Sequence, residues 1–194
     1  VFKPSQIGNV YLTLSTSSNP TGEQLDSATN CAYGGLCQSG SGTAAQAGFT
    51  PKPEKNTNYE LGTKWEIFDE ELLLSAAVFQ IIKEDVISTT GSGANILVNQ
   101  LGELQVRGIE LGATGNITEQ LSVQAGLTWL DTEITRSDTA SEVGQKFPNT
   151  AEESATVQLR YQLLEQLALG GAVTYKGEIW GGAPNGGTTS NQID

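Results

Sequence analysis

The sequence predicts an all-β fold: a transmembrane antiparallel β-barrel, present in part, with about seven strands in this chain. Three observations carry that prediction. Apolar and polar residues alternate with period two in one segment after another. The connections between those segments are short and long in turn. Finally, no run of about 18 apolar residues could cross a bilayer as a helix. The longest apolar run, Leu72 to Ile82, is interrupted by Ser75 and Gln80. A membrane protein built from this chain would therefore cross with strands.

The strands are read at about 9–17, 57–68, 72–87, 104–116, 120–134, 152–163 and 167–180. In 59–67, Tyr59, Leu61, Trp65 and Ile67 stand opposite Glu60, Gly62, Lys64 and Glu66. Residues 69–87 (DEELLLSAAVFQIIKEDVI) could form an amphipathic helix with Leu72, Leu73, Ala76 and Phe79 on one side. The two-residue rhythm of Leu74, Ala76 and Val78 favours a strand instead. Ile109, Leu111 and Ala113 face away from Gly108, Glu110, Gly112 and Thr114. Leu121, Val123, Ala125, Leu127 and Trp129 alternate with Ser122, Gln124, Gly126 and Thr128. Ala155, Val157, Leu159 and Tyr161 alternate with Thr156, Gln158, Arg160 and Gln162. The last strand sets Leu167, Leu169, Val173 and Tyr175 against Gly170, Thr174 and Lys176.

None of these apolar faces carries a charge. Lipid demands this, because an Arg or Lys at the bilayer midplane costs about 2–4 kcal/mol. The opposite faces are small and polar, as a wet barrel interior would be. A soluble sandwich also alternates, so the connections decide. Short turns fall near Asp69–Glu71, Ile117–Glu119 and Leu164–Gln166. Long connections fall at Ser18–Asn56, Ser88–Glu103 and Thr135–Ala151, with a tail after Trp180. Outer-membrane barrels combine short periplasmic turns with long outer loops. Tyr59, Trp129 and Trp180 lie near the long-loop ends, and Trp65, Phe68 and Tyr161 near the short turns. That is the placement of two interfacial girdles. Seven strands is an odd number, whereas bacterial barrels have even numbers. An open sheet would also leave two unpaired edges in lipid. The chain is expected to need strands from elsewhere.

Charge and composition exclude whole classes of function. The 194 residues carry 22 acidic and 10 basic side chains, a net charge of −12, and no His. Phosphate contacts need clustered Lys and Arg, so nucleic acid is not an expected partner. The absence of His removes the commonest general base and metal ligand. A Ser–His–Asp or Cys–His arrangement cannot be assembled. The acid pairs Glu84–Asp85 and Asp69–Glu71 sit at strand ends or turns, where solvated carboxylates are ordinary. No enzymatic activity, metal site or cofactor is expected. Cys31 and Cys37, in CAYGGLCQSGSG, suggest a short disulfide-closed loop in an oxidising compartment. Two free thiols in a loop are the alternative, and neither arrangement completes a zinc site.

Residues 53–86, PEKNTNYELGTKWEIFDEELLLSAAVFQIIKEDV, resemble the TonB-dependent siderophore receptors. In that family a Pro-Glu-Lys followed by Tyr-Glu-Leu-Gly-x-Lys-Trp opens a late barrel strand. VRGIELGATGNITEQLSVQAGLTWLDTEI (106–134), FPNTAEESATVQLRYQL (147–163) and VTYKGE (173–178) are similar to the strands that follow. The flavour is that of the catecholate siderophore receptors. The resemblance implies a 22-stranded outer-membrane barrel with an N-terminal plug, importing ferric siderophores with energy passed on by TonB. Residues 1–194 would be its late-middle wall, without the plug domain and the C-terminal strands. The ferric siderophore would then be cargo rather than cofactor. TonB would act through the absent N-terminal part, and lipid and lipopolysaccharide would surround the wall. An anionic, flat-faced ferric catecholate favours cations and aromatics at the outer ends. The candidate ligand contacts are Tyr33, Lys83, Arg136, Lys146, Phe147 and Lys176. Two alternatives stand beside this reading: an outer-membrane structural or adhesive barrel without active transport, and a soluble extracellular β-sandwich that binds glycans or protein. Acidic outer loops could also hold Ca²⁺.

Overall fold

The computed structural model describes residues 1–19, 52–90, 97–181 and 191–193. Its strands are β1 (Phe2–Ser5), β2 (Gly8–Asn19), β3 (Glu54–Ile67), β4 (Leu72–Thr90), β5 (Leu97–Asn116), β6 (Leu121–Arg136), β7 (Glu153–Leu164), β8 (Leu167–Lys176), β9 (Ile179–Gly181) and β10 (Asn191–Ile193). β1 to β8 form one antiparallel sheet in chain order, and β9 pairs with β10. Residues 72–84 are extended, in register with β3 on one side and β5 on the other.

Among the described residues the sheet has eight strands, not seven. The additional one, β1, is the four-residue FKPS, too short and too irregular to show alternation. Eight is even, so the parity argument falls. The edge argument does not: among the described residues, β1 and β8 each have one side without a neighbour. The connection expected at Ser88–Glu103 is also shorter than predicted. The β4–β5 ladder runs on past Glu84 to Thr90↔Leu97. Its register slips twice, between Glu84 and Val86 and between Val86 and Ser88. Asp85 takes a left-handed φ of 58° at the first slip. Each extra residue reverses the phase of alternation. The sequence therefore stops looking like a strand while the backbone remains one.

The short turns have local causes. In the β3–β4 turn Phe68, Asp69 and Glu70 all adopt left-handed φ (56°, 54° and 70°), and Glu71 N donates to Phe68 O at 3.1 Å. Gly115 (φ 139°) passes so close that an added Cβ would lie 2.0 Å from Glu71 O, so only glycine fits. In the β5–β6 turn the Thr118 hydroxyl accepts from Leu121 N at 3.1 Å. This side-chain turn replaces the glycine a tight hairpin usually needs.

Register sorts the side chains into two faces. One face carries Leu12–Leu61–Val78–Ile109–Trp129 across five strands, then Val10–Thr63–Ala76–Leu111–Leu127–Ala155–Tyr175. The next rows toward the short turns are Gly8–Trp65–Leu74–Ala113–Ala125–Val157–Val173 and Leu121–Tyr161–Leu169. No charge interrupts these four rows over the strands named; the first meets a carboxylate only on β7, where Glu153 stands opposite Trp129. Their large side chains are exposed: Leu12 is 76%, Leu61 50% and Val173 73% accessible. Among the described residues only Leu72 and Ile134 are buried hydrophobics. Such a face is stable only where the surrounding solvent is itself apolar. From Leu121 to Trp129 the band measures about 27 Å along the strand, or about 20 Å across a membrane at a tilt of about 40°.

Aromatic rings fill the gaps left by glycines on neighbouring strands. A Cβ on Gly8 would fall within 2.3 Å of the Trp65 ring, one on Gly62 within 2.3 Å of the Tyr11 ring, and one on Gly108 within 2.4 Å of Phe79. Each ring lies flat across the next strand and pins the register there. Tyr11 also donates from its hydroxyl to Glu60 Oε1 at 2.7 Å, and its ring lies 5.8 Å from Lys64 Nζ.

Candidate functional site

On the opposite face the inner rows are small and polar. Asn9–Lys64–Ser75–Gly112–Gly126–Thr156–Thr174 is one such row, and Tyr11–Gly62–Ala77–Glu110–Thr128–Ser154–Lys176 is the next. Toward the long connections the character changes. Phe79 and Leu130 both close over Gly108, where an added Cβ would lie 2.4 Å from the Phe79 ring and 2.9 Å from a Leu130 methyl. Ile81 stands beside Val106 and Thr132, and Leu104 beside Ile134. Phe79, Ile81, Leu104, Val106, Leu130 and Ile134 thus form an apolar patch on a face predicted to be polar. The clue lay in the sequence: Val78, Phe79, Ile81 and Ile82 are apolar on both sides of β4, so alternation is lost there.

The β6–β7 connection folds over this patch. Phe147 N donates to Thr132 Oγ1 at 3.1 Å, and Thr132 is 3% exposed. Ile134 pairs with the returning chain through Ile134 N to Gln145 O and Gly144 N to Ile134 O, both 2.9 Å. A 3-10 turn at Ala140–Glu142 buries the Glu142 carboxylate, which accepts from Ser137 Oγ at 2.6 Å. Nearby on β3, Asn58 Oδ1 is enclosed without a hydrogen-bond partner.

The predicted contacts are distributed unevenly around the patch. Lys83 lies on the patch face beside Leu104, and its Nζ is 2.7 Å from Glu54 Oε2. The Phe147 backbone is held at Thr132 on β6, two strands from Lys83. Lys146 is paired with Glu152 in the β6–β7 connection. Arg136 is on the apolar-band side, paired in register with Glu103 and 3.4 Å from its carboxylate. Lys176 ends β8, four strands from Lys83 in the sheet order, which is about 19 Å at ordinary strand spacing. Lys83 thus lies on the patch face of β4 and the Phe147 backbone is bonded to Thr132 on β6, while Arg136 and Lys176 stand apart from both. Tyr33 and the Cys31–Cys37 pair lie outside the described residues. Among the described residues no group of three or more Cys, Asp or Glu side chains could hold a metal ion. A shallow trough of about 320 Å³ between β7 and β8 is lined by Gln158, Arg160 and Gly170, well away from the patch.

The sequence profile described as TonB dependent receptor-like, beta-barrel matches residues 1–193. The chain belongs to this family. It is similar to the probable TonB-dependent siderophore receptor PiuA of Acinetobacter baumannii, at 32% identity over 197 residues, covering 95% of this chain and 24% of that protein. It is also similar to the catecholate siderophore receptor Fiu of Escherichia coli K12, at 33% identity over 178 residues, covering 91% of this chain and 22% of that protein. The crystal structure of PiuA matches with a TM-score of 0.72 at 30% identity, covering 93% of this chain and 25% of that chain. The closed form of the ferric-catecholate import receptor Fiu matches with a TM-score of 0.70 at 31% identity, covering 92% and 24%. This chain spans about a quarter of the length of these relatives.

The eight strands are thus wall of an outer-membrane TonB-dependent receptor barrel. The apolar band is the outward face, the opposite face lines the lumen, and the long connections mark the outer end. The upper limit of the band falls from Leu14 on β2 to Ile109 on β5 and Tyr175 on β8, as tilted strands require. Tyr59, Trp129 and Tyr175 stand near that limit. Just beyond it, the outward face turns polar at Gln80, Arg107 and Asp131.

Proposed function

We propose that the receptor to which this wall belongs takes up ferric siderophores of the catecholate class, driven by TonB. The observation that carries the proposal is the outer lumenal patch. Its apolar surface, made by Phe79, Ile81, Leu104, Val106 and Leu130, suits the flat faces of aromatic chelators. Lys83 and Lys146 stand near it, each paired with a carboxylate, so an anionic complex would have to draw their charge from Glu54 and Glu152 in a chain of net charge −12. The names of the relatives point the same way: one is a probable siderophore receptor and another a catecholate siderophore receptor.

In this reading the protein is a receptor and transporter rather than an enzyme, and the ferric complex is cargo rather than a resident cofactor. The outer segments capture it and the lumen face lines its passage. Membrane lipid covers the uncharged rows, and lipopolysaccharide meets the charged outward rows above Trp129. Tryptophan fluorescence of the full-length receptor, titrated with a panel of ferric siderophores, tests the cargo. Saturable quenching by ferric catecholates, weakened in Lys83→Ala, supports it. Absence of response to every catecholate overturns it.

A further inference from the structure

At the second slip in the β4–β5 ladder, Asn99 pairs with Ser88 and Gly102 with Val86, so Gln100 and Leu101 have no ladder partner. Both are nevertheless held, and from opposite sides. The Gln100 side chain is 8% exposed and bonds both backbone groups of Lys52. Lys52 N donates to Oε1 at 2.7 Å, while Nε2 donates to Lys52 O. A side-chain amide thus takes the place of a neighbouring strand just before β3 begins. On the other flank, Arg136 Nε donates to Leu101 O at 2.7 Å. The Arg136 guanidinium also reaches Glu103, whose Oε1 accepts from Thr135 Oγ1 at 2.9 Å. Two residues later on β3, Glu54 is bridged to Lys83 of β4.

We propose that the Gln100–Leu101 bulge is a coupling point of the outer rim, with Gln100 and Arg136 as its positioning residues. The start of β3, the outer ends of β4 and β5, and the end of β6 are joined through it. Displacing one of these strand ends therefore displaces the others, and ligand capture draws on them as a unit. The physical reason is the bulge itself. A regular ladder bonds only to its immediate neighbours, whereas two unladdered residues leave an amide side chain and a carbonyl free to reach further. The significance for capture rests on the uptake reading above, but the mechanical coupling does not.

Hydrogen exchange on the full-length receptor in detergent tests the coupling without a ligand. In Gln100→Leu, exchange is expected to rise at least tenfold in a peptide covering 52–58 and also in one covering 133–136. Arg136→Gln should loosen 52–58 in return. Peptides covering 121–129 and 155–161 should be unchanged in both, which shows that the wall is folded. Loosening confined to 52–58 in Gln100→Leu, or to 133–136 in Arg136→Gln, overturns the coupling. Unchanged exchange at 52–58 in Gln100→Leu overturns the clamp itself. If a ferric catecholate binds, Gln100→Leu should raise the half-saturating concentration for uptake several-fold and leave the maximal rate unaltered. A wild-type receptor that binds no siderophore would refute the uptake reading and leave the exchange result standing.

Discussion

The inner and outer halves of this wall are built by different rules. In the inner half the ladder between β3 and β6 is regular from Gly62 to Leu72 and from Leu111 to Val123, and turns close it in a few residues. Its outward rows hold no charge and its lumen rows are mostly polar, with Lys64, Glu66, Glu110 and Gln124 among them. In the outer half the ladder slips, three ion pairs appear, and polar residues move to the outward face while apolar ones gather on the lumen side. The difference follows from solvent. Hydrocarbon leaves no alternative to a complete backbone ladder and an apolar exterior. Above the headgroups, water can satisfy an unpaired group, so bulges, ion pairs and loop contacts become affordable.

The largest break in that contrast should come from charge. Leu111→Arg, in the middle of the apolar band, is expected to destabilise the full-length barrel by about 2–4 kcal/mol, against about 0–1 for Gln105→Arg near the outer surface. Reversible urea unfolding in vesicles measures both. Equal effects would mean that the band is misplaced.

Glycine substitutions should separate the halves next. Gly108→Ala meets Phe79 and Leu130, and is expected to cost about 1–3 kcal/mol through overpacking. Gly126→Ala, in the inner lumen face, meets nothing within 4 Å and should be neutral or slightly stabilising. The same unfolding assay would show a reversed order if the patch were loosely packed.

A smaller effect is expected at the β6–β7 connection. Thr132→Val removes the acceptor of the Phe147 amide, at a cost of about 1 kcal/mol. Proteolysis should then cut residues 137–152 faster while the strands stay protected. The smallest concerns Lys83→Ala. The Lys83–Glu54 pair is partly exposed, at 33% and 13% of side-chain area, so its loss should cost about 0–1 kcal/mol in stability. Its effect on ferric-catecholate affinity should be larger and should shrink at high salt. A salt-independent affinity would separate Lys83 from the ligand.

Much of the inner half was legible in the residues. The alternation of Leu121 to Trp129 and of Ala155 to Tyr161 placed strands and faces correctly, because lipid imposes one rule on every second residue. The candidate site was legible only in part. Lys83 lies on the patch face, but Arg136 turns outward, since the bulge opposite Glu103 puts it on the other face. A one-residue slip is invisible without the partner strand.

The sequence alone determined that this chain forms antiparallel membrane-crossing strands with short turns at one end and long connections at the other. Periodicity and loop length are local properties, so they survive in one dimension. Tertiary structure decided what depends on pairing: the eighth strand, the extension of β4 and β5 beyond Glu84, and the ring-over-glycine contacts. It also decided the gathering of Phe79, Leu104 and Leu130 on the lumen side, and the hold of Gln100 on Lys52. Each of these joins residues far apart in the chain through register, and register exists only once the strands have paired.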